Sequence, residues 1–424
     1  MDILFSGRLV FTRIFLISSG LCLLAIGIAS IYAVGNPAQF SQTSDAQQFS
    51  LLWEKQLLFA VTGLIAFFLI NLVNYRKLGQ ISYLLYAIIL VMLAVVLLGK
   101  FVPLPFVPII NGTHRWIRIG KLPAIQPSEF CKLVYIVALA WYLRYKSNYR
   151  SFKALIGPFL LTLLPMVLIL LEPDLGTVLL MMPILFTMLF VAGAKVKHFL
   201  LVILLALAVS PILWMGMNQY QRVRISAVLL QNEKVQDLAE KHQWVGRLLV
   251  GKPFSKKQWE TDWGYHLIRS KYALASGGLN GYGYRKGPFI KYKFLAERHN
   301  DFIFATICHQ WGLKGALVVI GLYTLLIGCG LEIASQNTDP FAKLLAVGIV
   351  TMFAVEVVVN TSMTVGLMPI TGLTLPLVSY GGSSLLISLA ALGLLNNIGR
   401  CRAFSVAPKS FEKDDNTLSL LNSV

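Results

Sequence analysis

Charged residues are scarce in this chain. Asp, Glu, Lys and Arg make up 13% of its 424 residues, whereas 56% are hydrophobic. Soluble domains carry about 25% charged residues, so the composition excludes an ordinary cytosolic globule. It also excludes a disordered chain, a collagen and a coiled coil. The excess of apolar residues predicts an integral membrane protein that crosses the bilayer several times.

Cysteine is also scarce, and its pattern excludes a redox or zinc site. The five cysteines form no CxxC pair and lie mostly within apolar runs. We therefore interpret them as small hydrophobic residues. The histidines show no HExxH or similar spacing, which argues against a bound zinc ion.

Acidic residues are fewer than basic ones. The chain has 19 Asp and Glu against 37 Lys and Arg, a formal net charge of +18. On a soluble protein this excess would suggest a nucleic acid partner. Here many of the basic residues lie in short loops between apolar runs. In such loops positive charge indicates how the membrane spans are oriented and attracts anionic lipids. We expect membrane lipids and no nucleic acid as partners.

Long apolar runs predict the fold class. A bilayer core needs about 20 apolar residues per helix, and ten segments of the chain meet this need. The charge-free run 357–399 is too long for one crossing, and its Pro and Gly residues divide it into a helix end, a loop and a last helix. The sequence thus predicts an all-α membrane protein with ten transmembrane helices, at 14–33, 56–75, 78–99, 126–143, 154–171, 175–194, 198–217, 302–330, 343–366 and 377–397.

The basic residues predict the orientation of these helices. With both termini in the cytoplasm, fifteen Lys and Arg fall in inner segments and five in short outer loops, as the positive-inside rule requires. Residues 1–424 then form one polytopic domain, with a large extracytoplasmic loop at 218–301 between helices 7 and 8 and a cytoplasmic tail at 400–424. Within this loop, apolar residues at helical spacing over 235–249 predict a helix on the membrane surface, and the glycines of 277–287 predict a flexible stretch.

Charges at membrane depth are costly and mark candidate sites. Glu129 and Lys132 lie three residues apart at the start of the fourth span, on one helical face. They form either a local ion pair or a site in which Lys132 presents its charge to an anionic group while Glu129 holds it. Spacing alone leaves both readings open.

Two further acidic positions allow a structural and a functional reading. Glu172 and Asp174 flank Pro173 in an outer turn, as solvated caps or as ligands of a divalent cation. Asp301 opens the eighth span, as the N-cap of that helix or as a general base for a substrate hydroxyl. Ser379 has no nearby base in sequence, so no Ser-His-Asp arrangement is argued. The residues alone leave a transporter, a flippase and a membrane-embedded transferase open.

Six motifs follow one another along the chain. They are RWI at 115–117, QPSEFCK at 126–132, EPDLGT at 172–177, YQRVRI at 220–225, ERHNDFIFA at 297–305 and GLMP to SYGGSS over 366–384. In this order they resemble the SEDS family of bacterial shape, elongation, division and sporulation proteins, and most closely its RodA branch. The sequence departs from the family pattern in three places. Ala296 and Asn300 replace the usual Pro and Thr, His309 and Gln310 replace a common acidic pair, and the loop between Arg224 and Gly264 is longer and more basic.

This resemblance implies a peptidoglycan glycosyltransferase that polymerises lipid II. One lipid II supplies the 4-hydroxyl of its GlcNAc, and the other donates its disaccharide with inversion and loses undecaprenyl diphosphate. Asp301 is then the general base, and Arg115 and Lys132 stabilise the leaving diphosphate. Glu129 orients Lys132, and Glu297 is the next candidate for the base.

The remaining expected site residues contact substrate. Trp116 packs against a sugar or prenyl segment, and Ser379 and Ser383 belong to the family's last loop. Glu172 or Asp174 assists, or holds a divalent cation such as Mg²⁺ or Mn²⁺; no other cofactor is expected.

The resemblance also implies a setting and its alternatives. The expected partners are lipid II, a class B penicillin-binding protein that supplies transpeptidation, and other membrane proteins of the elongation machinery. The expected location is the bacterial inner membrane, with the active site facing outward. The alternatives are the FtsW-type division branch with the same chemistry, a lipid II flippase and a non-catalytic scaffold. An outward-facing Asp301 favours a transferase over a flippase, which needs no base there.

Overall fold

Helices form nearly the whole architecture of this computed structural model, which describes residues 9–36, 51–110, 113–118, 120, 123–144, 152–292 and 299–401. Most of the predicted tail at 400–424 and all of 293–298, which includes Glu297, lie outside the described residues. The first eight helices are α1 Val10–Gly35, α2 Leu52–Leu72, α3 Tyr75–Gln80, α4 Ser82–Leu98, α5 Pro127–Leu143, α6 Phe152–Leu171, α7 Leu175–Val191 and α8 Val196–Gly216. The others are α9 Gln219–Ser226, α10 Glu233–Lys241, α11 Gln243–Val250, α12 Tyr265–Gly277, α13 Ile303–Ser335, α14 Pro340–Val365 and α15 Gly382–Arg400.

Short elements complete the described chain. A two-stranded antiparallel ribbon pairs β1 Ile109–Ile110 with β2 Thr113–His114. Single turns lie at Leu229–Gln231, Lys256–Gln258, Trp259–Trp263 and Pro288–Lys291.

Each of the ten predicted spans overlaps a helix of the structure. Within the described residues, six helices are long and apolar enough to cross a membrane: α1, α2, α6, α13, α14 and α15. The helices α4, α7 and α8 contain shorter apolar stretches, and α5 has 17 residues and carries Glu129 and Lys132. The chain is therefore a multi-pass membrane protein, and the count of ten crossings stays a prediction.

The helix α15 lies inside the bundle, and 83% of the residues in its 18-residue apolar stretch are buried. It approaches α2 closely because glycines face the contact. A Cβ at Gly63 would lie 2.5 Å from Leu389, and one at Gly393 would lie 3.1 Å from the backbone oxygen of Phe67. Small residues of this kind let helices pack backbone to backbone in a membrane, where apolar burial gives little drive for association.

A polar network joins α1, α2 and α15 near one end of the bundle. The guanidinium Nε of the fully buried Arg13 donates to Asn396 Oδ1 at 2.8 Å. The amide of Asn396 in turn donates to Asn71 Oδ1 at 2.6 Å. These bonds satisfy polar groups that would otherwise be costly inside the bundle.

The segment 218–301 corrects one prediction. In place of one surface helix over 235–249, two helices meet at His242, which has φ −114° and ψ 96° and ends α10. Both helices bury apolar residues in a second core, distinct from the core of the bundle. Several of the apolar residues over 235–249 that were expected to face the membrane therefore contact protein. Leu238 and Leu248 stay exposed. This second core includes Ala227, Leu230, Ala239, Val245, Val250, Phe254, Trp259 and Leu267.

The predicted span 302–330 is interrupted. Gly312 has φ 62° and ψ −157°, which divides α13 into helices at 303–311 and 313–335. The backbone groups near this break bond to the glycine-rich segment: Gly283 N donates to Gln310 O at 2.9 Å, and Leu313 N to Gly278 O at 2.9 Å. A Cβ at Gly281 would lie 2.2 Å from Gln310 O. Glycine is required there for close approach, so the segment predicted to be flexible is bonded to α13.

Candidate functional site

A polar cavity of about 380 Å³ lies where eight parts of the chain meet. These are the region of the β-ribbon, the N-termini of α5, α7 and α15, the helices α9 and α12, the residues just before α13, and the non-helical segment 366–381. The cavity collects six of the ten predicted site residues: Arg115, Trp116, Glu129, Asp174, Asp301 and Ser383. It also contains residues that the sequence analysis did not select, among them Arg224, His266, Thr371 and Gly372.

Asp301 lies at the cavity wall and does not cap the following helix. The N-cap of α13 is Phe302, without a side-chain capping bond, so the N-cap reading of Asp301 is wrong. A Cβ at Gly372 would lie 3.7 Å from Asp301 Oδ2 and 3.6 Å from a terminal nitrogen of Arg224. The carboxylate and the guanidinium therefore both approach Gly372, which has no side chain to separate them from the cavity.

The backbone around Asp301 is bonded to the segment 366–381 and to α14. The amide Nδ2 of Asn360 donates to Asp301 O at 3.0 Å and to Leu373 O at 2.7 Å. Ser379 Oγ donates to Asn300 O at 2.9 Å and accepts from Leu375 N at 2.8 Å. Ser379 is therefore a support for the backbone beside Asp301 and not part of the cavity lining, unlike the predicted substrate contact.

Ser383 lies in the cavity wall at the start of α15. Its hydroxyl accepts a hydrogen bond from Gln126 N at 3.1 Å. This bond joins the N-terminal ends of α5 and α15, the two helices that frame this side of the cavity.

Lys132 belongs to a buried charge cluster next to the cavity. Its Nζ lies 2.8 Å from Glu129 Oε2 and 2.6 Å from Glu356 Oε1. The side chains of Lys132 and Glu356 are each 2% exposed, and that of Glu129 is 10% exposed. Glu129 lines the cavity and Lys132 does not. The ion pair itself is present, as both readings of these residues expect, and the predicted contact of Lys132 with an anionic group stays a prediction. Sequence reasoning missed Glu356 as a partner, although it is the one charged residue between 344 and 399.

Arg115 is held against the turn between α6 and α7. Its Nε donates to Glu172 O at 2.7 Å, and its Nη2 donates to Pro173 O at 2.6 Å. Backbone carbonyls carry no formal charge, so these two bonds hold Arg115 in place without neutralising its positive charge. The residue also lines the cavity.

Asp174 is the N-cap of α7, as its structural reading predicts. Its Oδ1 accepts from Thr177 N at 3.3 Å. Its Oδ2 accepts from the hydroxyls of Ser128 at 3.0 Å and Thr177 at 3.1 Å. The carboxylate is thus engaged on both oxygens, which fixes the entry of α7 and the N-terminus of α5 relative to each other.

Glu172 is buried, and neither of its carboxyl oxygens has a hydrogen-bond partner. Burial and the neighbouring Asp174 raise the pKa of Glu172 to about 9, against the opposing effect of Arg115. The group is therefore protonated at neutral pH.

Glu172 and Asp174 do not fit a divalent cation. Both Asp174 oxygens already accept hydrogen bonds, and the Glu172 carboxyl is buried, whereas Mg²⁺ and Ca²⁺ prefer accessible oxygen ligands. No group of three His, Cys, Asp or Glu able to hold a metal occurs in the part of the chain that the structure describes.

The cavity combines positive and negative groups suited to an anionic substrate. Arg115 and Arg224 supply fixed positive charge, and Asp301 and Glu129 supply carboxylates. Arg224 was quoted in the YQRVRI motif but not selected as a site residue. The sequence feature that could have identified Arg224 is its position in α9, a short helix that directly follows the apolar helix α8. A residue at this position lies near the end of the helix bundle, where the cavity is.

The chain matches known proteins over most of its length. The model of the FtsW, RodA and SpoVE cell cycle proteins matches residues 13–403. A peptidoglycan glycosyltransferase RodA of Treponema pallidum is 33% identical over an alignment 432 positions long. The alignment covers 89% of this chain and 95% of that protein. The stage V sporulation protein E of Bacillus subtilis is 34% identical over 384 residues, covering 90% and 94%.

A solved structure shares the fold. A chain from a study of how a peptidoglycan synthase complex coordinates polymerization and crosslinking superposes with a TM-score of 0.70 at 29% identity, covering 91% of this chain and 96% of that one. Together with the family match over residues 13–403, this agreement shows that the chain belongs to the FtsW, RodA and SpoVE family of cell cycle proteins.

Proposed function

We propose that this protein is a peptidoglycan glycosyltransferase that polymerises lipid II and releases undecaprenyl diphosphate. One observation carries the proposal: the Asp301 carboxylate and the Arg224 guanidinium both approach Gly372 in a polar cavity. An inverting sugar transfer needs a base at the attacking hydroxyl and positive charge at the departing diphosphate. The names of the relatives support the same reaction class.

Asp301 acts as the general base. It accepts the proton of the acceptor's GlcNAc 4-hydroxyl while the oxygen attacks the anomeric carbon of the donor. The bond from that carbon to the diphosphate oxygen breaks, so the α-linkage becomes β in one step. Phe302, and not Asp301, occupies the N-cap position of α13.

Arg224 and Arg115 stabilise the charge that develops on the diphosphate. Both line the cavity, and Arg115 is fixed by two backbone carbonyls, which limits the reorganisation needed during the reaction. Lys132 acts through Glu129: the ion pair holds the Glu129 carboxylate at the wall. Trp116 and Ser383 supply further substrate contacts, with the indole against a sugar or prenyl segment.

The proposal includes the orientation and the partner. Ten helices cross a bacterial inner membrane, both termini are cytoplasmic, and the loop 218–301 and the cavity face outward. The partner is a class B penicillin-binding protein, in keeping with the synthase complex that contains the structural relative. RodA and SpoVE relatives are equally similar, and we propose the elongation role on the RodA-type motifs.

Purified protein incubated with fluorescent lipid II tests the function, with glycan strands separated on a gel. We expect polymer from the parent chain. Absence of polymer with and without a class B partner, together with translocation of lipid II in liposomes, would contradict the proposal and indicate a flippase. The Asp301→Asn variant, described below, identifies the base.

A further inference from the structure

The helix α11 exposes apolar side chains although it lies in a folded segment. Trp244 is 68% exposed and Leu248 is 49% exposed, and they lie one helical turn apart. The opposite face of α11 is buried in the second core through Val245 and Val250. A tryptophan this exposed next to an exposed leucine is unusual for a surface in water. Exposed apolar patches of this kind mark sites that contact another protein or a membrane.

The adjoining span indicates what covers this face. Trp214, near the end of the apolar helix α8, donates from its indole Nε1 to Leu248 O at 2.8 Å. Ile212 and Met215 of the same helix end are 70% and 76% exposed. In a membrane protein such side chains face lipid. The exposed face of α11 therefore continues the lipid-facing surface of α8.

We propose that α11 is a membrane-interface helix, which inserts Trp244 and Leu248 among the phospholipids at the boundary between headgroups and acyl chains. Trp is enriched at this depth because its ring is apolar and its N–H is polar. The exposed Arg247, between the two, reaches the phosphates, as basic residues do in interfacial helices. This assignment does not depend on the reaction that the protein catalyses.

The same helix contacts the candidate active site through one bond. Ser226 Oγ of α9 donates to Leu249 O of α11 at 2.7 Å. The helix α9 carries Arg224, which lines the cavity. Anchoring α11 in the lipid therefore positions Arg224, a consequence that rests on the proposed function.

Tryptophan fluorescence in nanodiscs tests the assignment with the full-length protein. The chain has 8 tryptophans, and phosphatidylcholine brominated on its acyl chains quenches those that contact lipid. Trp244→Phe should lower the fraction of emission that the brominated lipid quenches. Trp259→Phe removes a tryptophan that is 1% exposed in the second core, and it should raise that fraction. An unchanged or higher fraction in Trp244→Phe would overturn the membrane-interface helix.

A second comparison tests the connection to Arg224. The double variant Trp244→Ser, Leu248→Ser should polymerise lipid II several-fold more slowly in nanodiscs, whereas Trp244→Phe should keep the parental rate. The double variant could instead turn over lipid II at the parental rate while Trp244→Phe shows the expected lower quenched fraction. That outcome would overturn the positioning of Arg224 and would still support the membrane-interface helix. An inactive parent chain would instead count against the proposed function.

Discussion

The buried cluster of Lys132 and the cavity wall at Asp301 use similar charges in different ways. In the cluster, Lys132 lies within 2.8 Å of both Glu129 and Glu356, and its side chain is 2% exposed. At the wall, Asp301 and Arg224 line an open cavity beside a glycine. Lys132 is enclosed by two carboxylates and does not line the cavity, whereas the charged groups of Asp301 and Arg224 border space that a ligand can enter. The comparison teaches that position relative to the cavity, and not charge alone, separates the supporting role proposed for Lys132 from the chemical role proposed for Asp301.

The largest expected effect belongs to Asp301. Asp301→Asn keeps the size of the side chain and removes the basic carboxylate, so the polymerisation rate should fall by about 10²–10⁴, the usual contribution of a general base. Its control is Asp339→Asn, outside the cavity lining; this Asp caps α14 and pairs with Arg76, so the variant loses an ion pair and should still keep the parental rate. Gel analysis of glycan strands gives both rates. Parental polymer from Asp301→Asn would move the base elsewhere, with Glu297 the next residue to test.

Arg224 should show the next effect. Arg224→Ala removes fixed positive charge from the cavity, and the loss of one such group typically lowers turnover by about 10²–10³. Arg224→Lys should recover part of the rate, because the charge returns without the planar geometry. Single-turnover kinetics with excess enzyme measure the chemical step. If Arg224→Ala and Arg224→Lys are equally active, the charge at this position has no part in the reaction.

Lys132 should reveal its role through stability. Lys132→Met leaves Glu129 and Glu356 without their shared cation, and breaking such a buried pair typically costs about 3–5 kcal/mol. Adding Glu356→Leu removes the more deeply buried carboxylate, so the double variant should regain thermal stability. Melting temperatures in detergent give the comparison. A double variant that stays as unstable as Lys132→Met would show that the unpaired Glu356 carboxylate is not the cause of the loss.

The smallest effect concerns Glu172 and pH. Its pKa is about 9 in the folded protein against an ordinary value of 4.5. Between these values the unfolded chain ionises Glu172 while the folded chain keeps it protonated, so stability should fall as pH rises through this window. Glu172→Gln lacks this titration and should lose less melting temperature between pH 5 and pH 9. Identical slopes for parent and variant would mean that Glu172 ionises in the folded protein.

Apolar run length was sufficient to predict the helices, because a membrane span is a local property of about 20 residues. A non-helical loop between 366 and 377 was predicted from Pro369, Gly372 and Pro376, and the structure confirms it, although the last helix begins at Gly382 and not at the predicted residue 377. The partner of Lys132 could not be predicted, since Glu356 lies 224 residues away along the chain. The second core was missed for a related reason: apolar spacing on α11 does not distinguish burial against lipid from burial against protein.

Capping illustrates a limit of local reasoning. Asp301 and Asp174 each precede a predicted span, and sequence gave each a structural reading. Asp174 caps α7, whereas at Asp301 the helix begins beyond Phe302. The backbone of Asp301 is bonded instead to the distant Asn360, a contact that no local pattern contains.

The break at Gly312 has a mechanical consequence. The helix 303–311 begins two residues after Asp301, and its other end is bonded to the segment 278–283 and not continuous with the span 313–335. That segment is followed by Arg285, whose Nε donates to Asn36 O at the end of α1 at 2.6 Å. Residues 303–311 are thus a separate short helix, buried in the protein, that connects the segment 278–283 to Asp301. The position of Asp301 is therefore set by the loop before the span as well as by the helices of the bundle.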